Sequence, residues 1–193
     1  MVRCGEVRFR INKVTYYKEK IMNTFKFEIK GIAPLLMDKY VDGAQPLTDD
    51  GYVKQAEEKV YRDDDGNVAI EAAAIKACMI LASIELAGPK KGKAIRQTLM
   101  AQLFINPSNL TILPERKNHD GITKKMVRRT TGKKVTTVPS YRPIIKEWSV
   151  QGDMQVSELK KHYLKQVIEL AGLKYGLLGY RPEYGRFEVI KVE

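Results

Sequence analysis

The sequence predicts an α+β domain whose core runs strand, helix, strand, strand, helix, strand. Three observations carry that reading. Polar and apolar residues alternate at 25–30 and again near the C-terminus, helical apolar spacing recurs at 71–87 and 157–171, and turn residues separate these runs. One basic excursion interrupts the order between the second and third core strands.

Phe25, Phe27 and Ile29 alternate with Lys26, Glu28 and Lys30, as in a strand with one buried face. Gly31 and Pro34 end it. Asp49 or Asp50 caps a short helix with Val53, Ala56 and Val60 on one side. The run 63–67 (DDDGN) reads as a turn joining Tyr61 to 68–70 in a small hairpin. It lacks the spacing and terminal Glu of a calcium loop, so no metal is expected there. Residues 71–87 contain neither Gly nor Pro, are rich in Ala, Ile, Leu and Met, and stop at Gly88 and Pro89. They predict the central buried helix. A basic link follows (Lys90, Lys91, Lys93, Arg96), then short strands at 103–105 and 110–113 broken by Asn106 and Pro107.

Residues 126–130 and 135–138 flank Gly132 as a β-hairpin arm would. Residues 144–150 read as the next strand, with Trp148 available to the core. Ser157 caps a second helix running to Ala171, in which Leu159, Tyr163, Val167 and Leu170 recur at helical spacing; Gly172 ends it. A loop with Gly176, Gly179 and Gly185 leads to a last strand at 186–192. The order is βαββαβ, the ferredoxin-like (RRM-like) arrangement, with a basic β-hairpin insertion over 115–138 and a C-terminal glycine-rich loop. Residues 22–193 form a single domain. Residues 1–21 read as a flexible basic arm outside the core, with Met22 as an alternative start.

The net charge of +11 is concentrated in two segments. Residues 1–21 hold six Lys and Arg against two Glu, residues 116–134 hold eight against Asp120 alone, and the rest of the chain balances. A focused cationic block attracts polyanions. Lys124, Lys125, Arg128, Arg129, Lys133 and Lys134 come as neighbouring pairs, and on a strand each pair sends one cation to each face. No aromatic residue lies between Arg116 and Val138, so base stacking must come from elsewhere.

Enzyme signatures are absent: there is no P-loop, nucleophile elbow or HExxH, and His119 and His162 have no ligand partners at metal-binding spacing. No cofactor is expected. No run reaches the ~20 apolar residues of a membrane helix, and residues 1–21 carry no secretory pattern. With only Cys4 and Cys78 a disulfide framework is not expected, which fits a reducing, cytoplasmic setting.

The loop 173–187 (LKYGLLGYRPEYGRF) resembles the glycine-rich loop of the RAMP superfamily, the RNA-binding backbone proteins of CRISPR effector complexes. The chain also resembles a family of uncharacterised phage proteins in which a GxxPLLM segment, here 31–37, pairs with a GLG-RP-GRF segment, here 176–187. This loop departs from a denser glycine pattern, since Tyr180 follows Gly179 and Tyr184 stands where a further glycine is expected. The RAMP resemblance implies the βαββαβ core, a β-hairpin thumb beside the bound strand and association along that strand as a homo-oligomer or filament. Some RAMP subunits place an RNA-cleaving aspartate after the first strand. Asp38 occupies a comparable position, with Asp42 nearby, and is the one catalytic candidate.

Physically, Gly176 and Gly179 offer backbone N–H groups to phosphates. Tyr175, Tyr180 and Tyr184 offer flat faces to bases, and Arg181 and Arg186 offer planar forks to phosphate oxygens. The open sheet face is a further surface for bases. The expected partner is single-stranded RNA or DNA, bound without cleavage. The alternatives are a metal-dependent ribonuclease using Asp38 and a phage interaction protein that mimics or blocks a RAMP-type subunit.

Overall fold

The computed structural model describes residues 22–43, 46, 48–86, 88–132, 134–157 and 159–193; the basic arm expected over 1–21 lies outside them. In chain order the elements are β1 (Asn23–Gly31), β2 (Leu35–Leu36), α1 (Asp49–Glu58), β3 (Ala69–Glu71), α2 (Ala72–Ser83), α3 (Gly88–Gln102), β4 (Phe104–Asn106) and β5 (Asn109–Thr111). There follow β6 (Gly121–Thr131), β7 (Lys134–Ile145), β8 (Ser149–Val156), α4 (Lys161–Leu170), a π-helical turn (Ala171–Tyr175) and β9 (Phe187–Val192).

The main sheet has the order β4-β8-β1-β9, with every neighbouring pair antiparallel. Counting only β1, α2, β4, β8, α4 and β9, this is the ferredoxin-like βαββαβ topology that the sequence predicts. Phe27 and Ile29 of β1 are buried, as their alternation requires, and join Ile75 and Met79 of α2 and Leu164 and Val167 of α4 in one core. Trp148 closes its edge: the indole is 3% exposed, packs edge-on against Phe187 and donates from Nε1 to the Ala33 carbonyl at 2.9 Å.

Several sequence expectations need correction. Thr48, not Asp49 or Asp50, caps α1, its hydroxyl accepting from the Gly51 N–H at 3.2 Å. The helix expected over 71–87 ends at Ser83, and the basic link beyond it is a second helix, α3. Pro89 falls in its first turn, where a missing N–H costs no helical bond. Gly92 lies against the carbonyls of Ser83 and Ile84, where a Cβ would come within 2.8 and 2.7 Å. That residue type therefore lets α3 cross closely over the end of α2. The strand expected over 144–150 is two strand ends separated by a turn at Lys146 and Glu147. Ser157 does not cap α4, which begins at Lys161; its hydroxyl bonds Gln102 instead.

The hairpin is longer than the sequence suggested. Its ladder runs from Gly121 opposite Ile144 to Thr131 opposite Lys134, and Gly132 takes φ +61° in the turn. Pro139 and Pro143 sit within β7 at positions whose N–H would face away from β6, so neither costs a ladder bond. The Pro143 carbonyl on that outer side accepts from the Met37 N–H at 2.9 Å.

Ile29 is fully buried at the centre of the sheet. Ile29→Ala should lower stability by about 2–5 kcal/mol, read as a shift of the urea midpoint with an unchanged m-value.

Candidate nucleic-acid interface

The hairpin leaves the body with both faces of its root held. Strand alternation sends Lys124 and Lys125 to opposite sides. On one face Lys124 lies over the ring of Tyr141, its cross-strand partner, at 5.1 Å, and pairs with Asp49 of α1 at 3.1 Å. Tyr52 of α1 stacks on Tyr141 with ring centroids 5.4 Å apart. On the other face Lys125 meets the C-terminal loop. Its ammonium stands 4.3 Å from the Tyr184 ring and 4.9 Å from the Tyr180 ring, and pairs with Glu183 at 3.5 Å.

Arg142, opposite Thr123 and on the same face as Lys125, completes this second contact. Its guanidinium covers Tyr180 at 4.5 Å and holds the Asp38 carboxylate at 2.9 Å. Burial raises the Asp38 carboxyl above the usual carboxylate range, against the pull of Arg142 and Lys59. The Tyr180 hydroxyl is buried with no hydrogen-bond partner among the described residues.

Three separate sequence candidates therefore meet: the basic arm, the glycine-rich loop and Asp38. The two root lysines already have acidic partners, so they tie the arm down, and an anion approaching Lys125 would compete with Glu183. Arg116 is likewise a structural anchor, bonding Asp120 at 3.0 Å and the Glu147 carbonyl at 3.1 Å. Arg128, one turn of the ladder further out, is exposed and makes no ion pair among the described residues. The backbones of Arg129 and Lys134 lie on β6 and β7, their side chains fall outside the described set, and Lys133 falls wholly outside it.

The glycines do not serve as expected. The Gly176 N–H donates to the Ala171 carbonyl at 3.0 Å and the Gly179 N–H to the Leu36 carbonyl at 3.1 Å, so neither is available to a phosphate. A side chain at Gly179 would collide with the Arg142 guanidinium. That glycine is what allows the loop to close on β2 and β7.

Tyr175 stands apart from Tyr180 and Tyr184, its hydroxyl donating to Glu85 at 2.6 Å. Arg181 is exposed, borders a shallow depression with Tyr175, Lys174 and Leu81, and does not reach the Tyr180–Tyr184 pair. Arg186 is exposed; its carbonyl accepts from the N–H groups of Ile32 and Ala33.

The open sheet face carries the exposed Phe104 on its edge strand β4, where Lys76 lies 5.6 Å from the ring, and is charged elsewhere. Over β1, β8 and β9 it presents Lys26 opposite Asp153, Glu28 opposite Lys191 and Lys30 opposite Glu188, with no aromatic residue. Complementary charges there satisfy each other across the strands.

Sequence reasoning missed Arg142, Tyr141, Tyr52 and Lys59. The signal was present: a hairpin centred just after Gly132 places residue 142 diagonally beside residue 125. Ending the arm at Val138 hid it. Beside the root, a cleft of about 530 Å³ is lined by the loop after β2, by α1 and by β7 near Pro139. His119 bonds Glu57 at 2.9 Å, and no group of three or more metal-ligating side chains gathers among the described residues. No helix among the described residues is long and apolar enough to cross a membrane.

No protein-family model matches the chain, and no curated protein matches it in sequence. Solved structures do. The cryo-EM structure of a type III-B Cmr-beta complex bound to cognate target RNA is matched at TM-score 0.54 and 14% identity, over 96% of this chain and 67% of that one. Cmr6 from Pyrococcus furiosus is matched at TM-score 0.45 and 9% identity, over 86% and 97% of the two chains. Csc2 from Thermofilum pendens is matched at 0.41 and 11%, over 89% and 67%. The first match shows that this chain shares the fold of that structure.

The hydrogen bond to Glu85 pushes the Tyr175 pKa up to about 12. A folded pKa above the unfolded one means that this bond stabilises the fold fully below about pH 10 and is lost as pH rises towards 12. Spectrophotometric titration should show a late-ionising tyrosine that Glu85→Gln returns towards the ordinary range, while Tyr61, raised by its own burial, stays late in both proteins.

Proposed function

We propose that the chain binds single-stranded nucleic acid, with RNA as the favoured ligand, and does not cleave it. The observation that carries this reading is the meeting of Lys125, Arg142, Tyr180 and Tyr184 at the foot of a cationic arm. A single strand needs flat faces for its bases and cations along its backbone. Here Tyr184 is half-exposed, and Arg128, on the ribbon face of Lys124, adds positive charge to the arm beyond the root. RNA is favoured because the type III-B structure that shares the fold is of a complex bound to target RNA.

The argument against cleavage is local. A divalent cation at Asp38 would have to displace the Arg142 guanidinium from the carboxylate, and that guanidinium is also fixed over Tyr180. Met126 and Val135, 61% and 59% exposed on the arm, give a second copy apolar surface to cover. That supports head-to-tail assembly along a strand.

The test is a salt titration against single-stranded RNA, single-stranded DNA and duplex DNA. Arg128→Ala should weaken binding to every single strand and flatten the log K against log salt slope by ~0.7. Tyr184→Leu should cost about 1–3 kcal/mol of affinity with little change in slope. Affinity unaltered in both variants would refute the reading.

Glu183 competes with phosphate for Lys125. Glu183→Gln should therefore strengthen binding and steepen the salt slope, in proportion to the freed cation.

A further inference from the structure

The 530 Å³ cleft beside the hairpin root stands apart from the Tyr180–Tyr184 surface, on the α1 side of β7. Its volume falls within the ~300–1,000 Å³ usual for small-molecule sites. Three cations reach it, Lys39, Lys59 and Arg128, each from a different element. Its one carboxylate, Asp38, is already held by Arg142 at 2.9 Å. Tyr40 and Tyr52 supply aromatic surface, and Gln55 and Ser140 supply neutral hydrogen-bonding groups. Tyr52 is fixed in place by its stack on Tyr141, so its ring needs no reordering to receive a ligand.

The lining separates the ligand classes. A peptide adding as a strand to the outer edge of β7 would find no N–H at Pro139 or Pro143, and the Tyr141 carbonyl between them already accepts from Lys59 at 3.2 Å. A metal ion would face three cations and a carboxylate that is already paired. An apolar molecule would have to displace water from charged groups without replacing their hydrogen bonds. What remains is a small anion carrying a planar ring.

We propose that this cleft is a binding site for a nucleoside monophosphate. Lys59 and Lys39 hold the phosphate, Tyr52 packs against the base or sugar, and Gln55 and Ser140 meet polar edges of the base. Burial and the neighbouring Arg142 charge hold the Lys59 ammonium below its usual range, so an anion beside it relieves an existing electrostatic cost. The site shares Arg128 with the strand-binding surface and touches it through the Asp38–Arg142 pair, so variants at Lys39 and Lys125, each belonging to one site alone, tell the two apart.

The experiment is calorimetric titration of the full chain with each of the four ribonucleoside monophosphates, the matching nucleosides and inorganic phosphate. Nucleotides should bind at least about tenfold more tightly than nucleoside or phosphate, ~1.4 kcal/mol. Lys39→Ala, an exposed position, should weaken nucleotide binding about tenfold, and Lys59→Gln should do the same while keeping a donor for the Tyr141 carbonyl. Lys125→Ala should leave nucleotide binding unchanged while weakening single-strand RNA. No heat with any nucleotide at millimolar concentration would overturn the proposal. So would nucleotide and phosphate binding equally well, or full affinity in Lys39→Ala. Nucleotide binding that survives while wild type ignores RNA would remove the strand-binding reading and leave this one standing.

Discussion

The structure turns on how a two-stranded ribbon is held where it leaves the domain. A hairpin alone is at best marginally stable in water, and β6 and β7 pair mainly with each other, since β2 contributes only Leu35 and Leu36 to their sheet. Two grips at the root make up for this. One is the Tyr52–Tyr141 stack with Lys124 and Asp49; the other is Lys125 and Arg142 over Tyr180 and Tyr184. Each cation–π contact at so open a site is modest, and the hold comes from several acting on one short stretch of ribbon. Because neighbouring residues of a strand face opposite ways, adjacent lysines serve the two grips separately.

The second grip depends on the C-terminal loop reaching β2. The Gly179 N–H bonds the Leu36 carbonyl and the Gly185 N–H bonds the Pro34 carbonyl, which ties the loop to the chain leaving β1. Asp38 follows two residues after Leu36, and this is why it arrives at Arg142. The convergence of arm, loop and aspartate is thus a consequence of one set of backbone bonds. The same bonds remove the glycine N–H groups from any role towards phosphate. What the glycines provide is close approach, which leaves Tyr180 covered by Lys125 and Arg142 and Tyr184 half-exposed.

Much of this was legible in the sequence. Alternation in β1 and β9, the Ala-rich run of α2 and the amphipathic run of α4 depend on local periodicity, and the core order follows from them. The features that were missed depend on tertiary contact. Gly88, Pro89 and Gly92 look like helix breakers in isolation, yet Pro89 begins α3 and Gly92 makes its crossing with α2 possible. The run 144–150 is apolar enough to pass for one strand because the turn between β7 and β8 uses Lys146 and Glu147 rather than Gly or Pro. The glycine-rich loop was found by pattern, but which of its groups face outward was decided by the carbonyls of β2. Local sequence does not encode that.

Charge shows the same division between count and placement. The eight Lys and Arg of 116–134 look equivalent in the sequence, but position along the hairpin separates them. Arg116 is held by Asp120, Lys124 by Asp49 and Lys125 by Glu183, so the excess positive charge of the root is largely compensated by the body. Arg128, beyond reach of those carboxylates, keeps its charge for solvent or a ligand. The ribbon is thus anchored by paired cations and continued, among the described residues, by the unpaired Arg128. Anchored and open cations are therefore residues of the same type, and which is which is set by the acids the fold brings within reach.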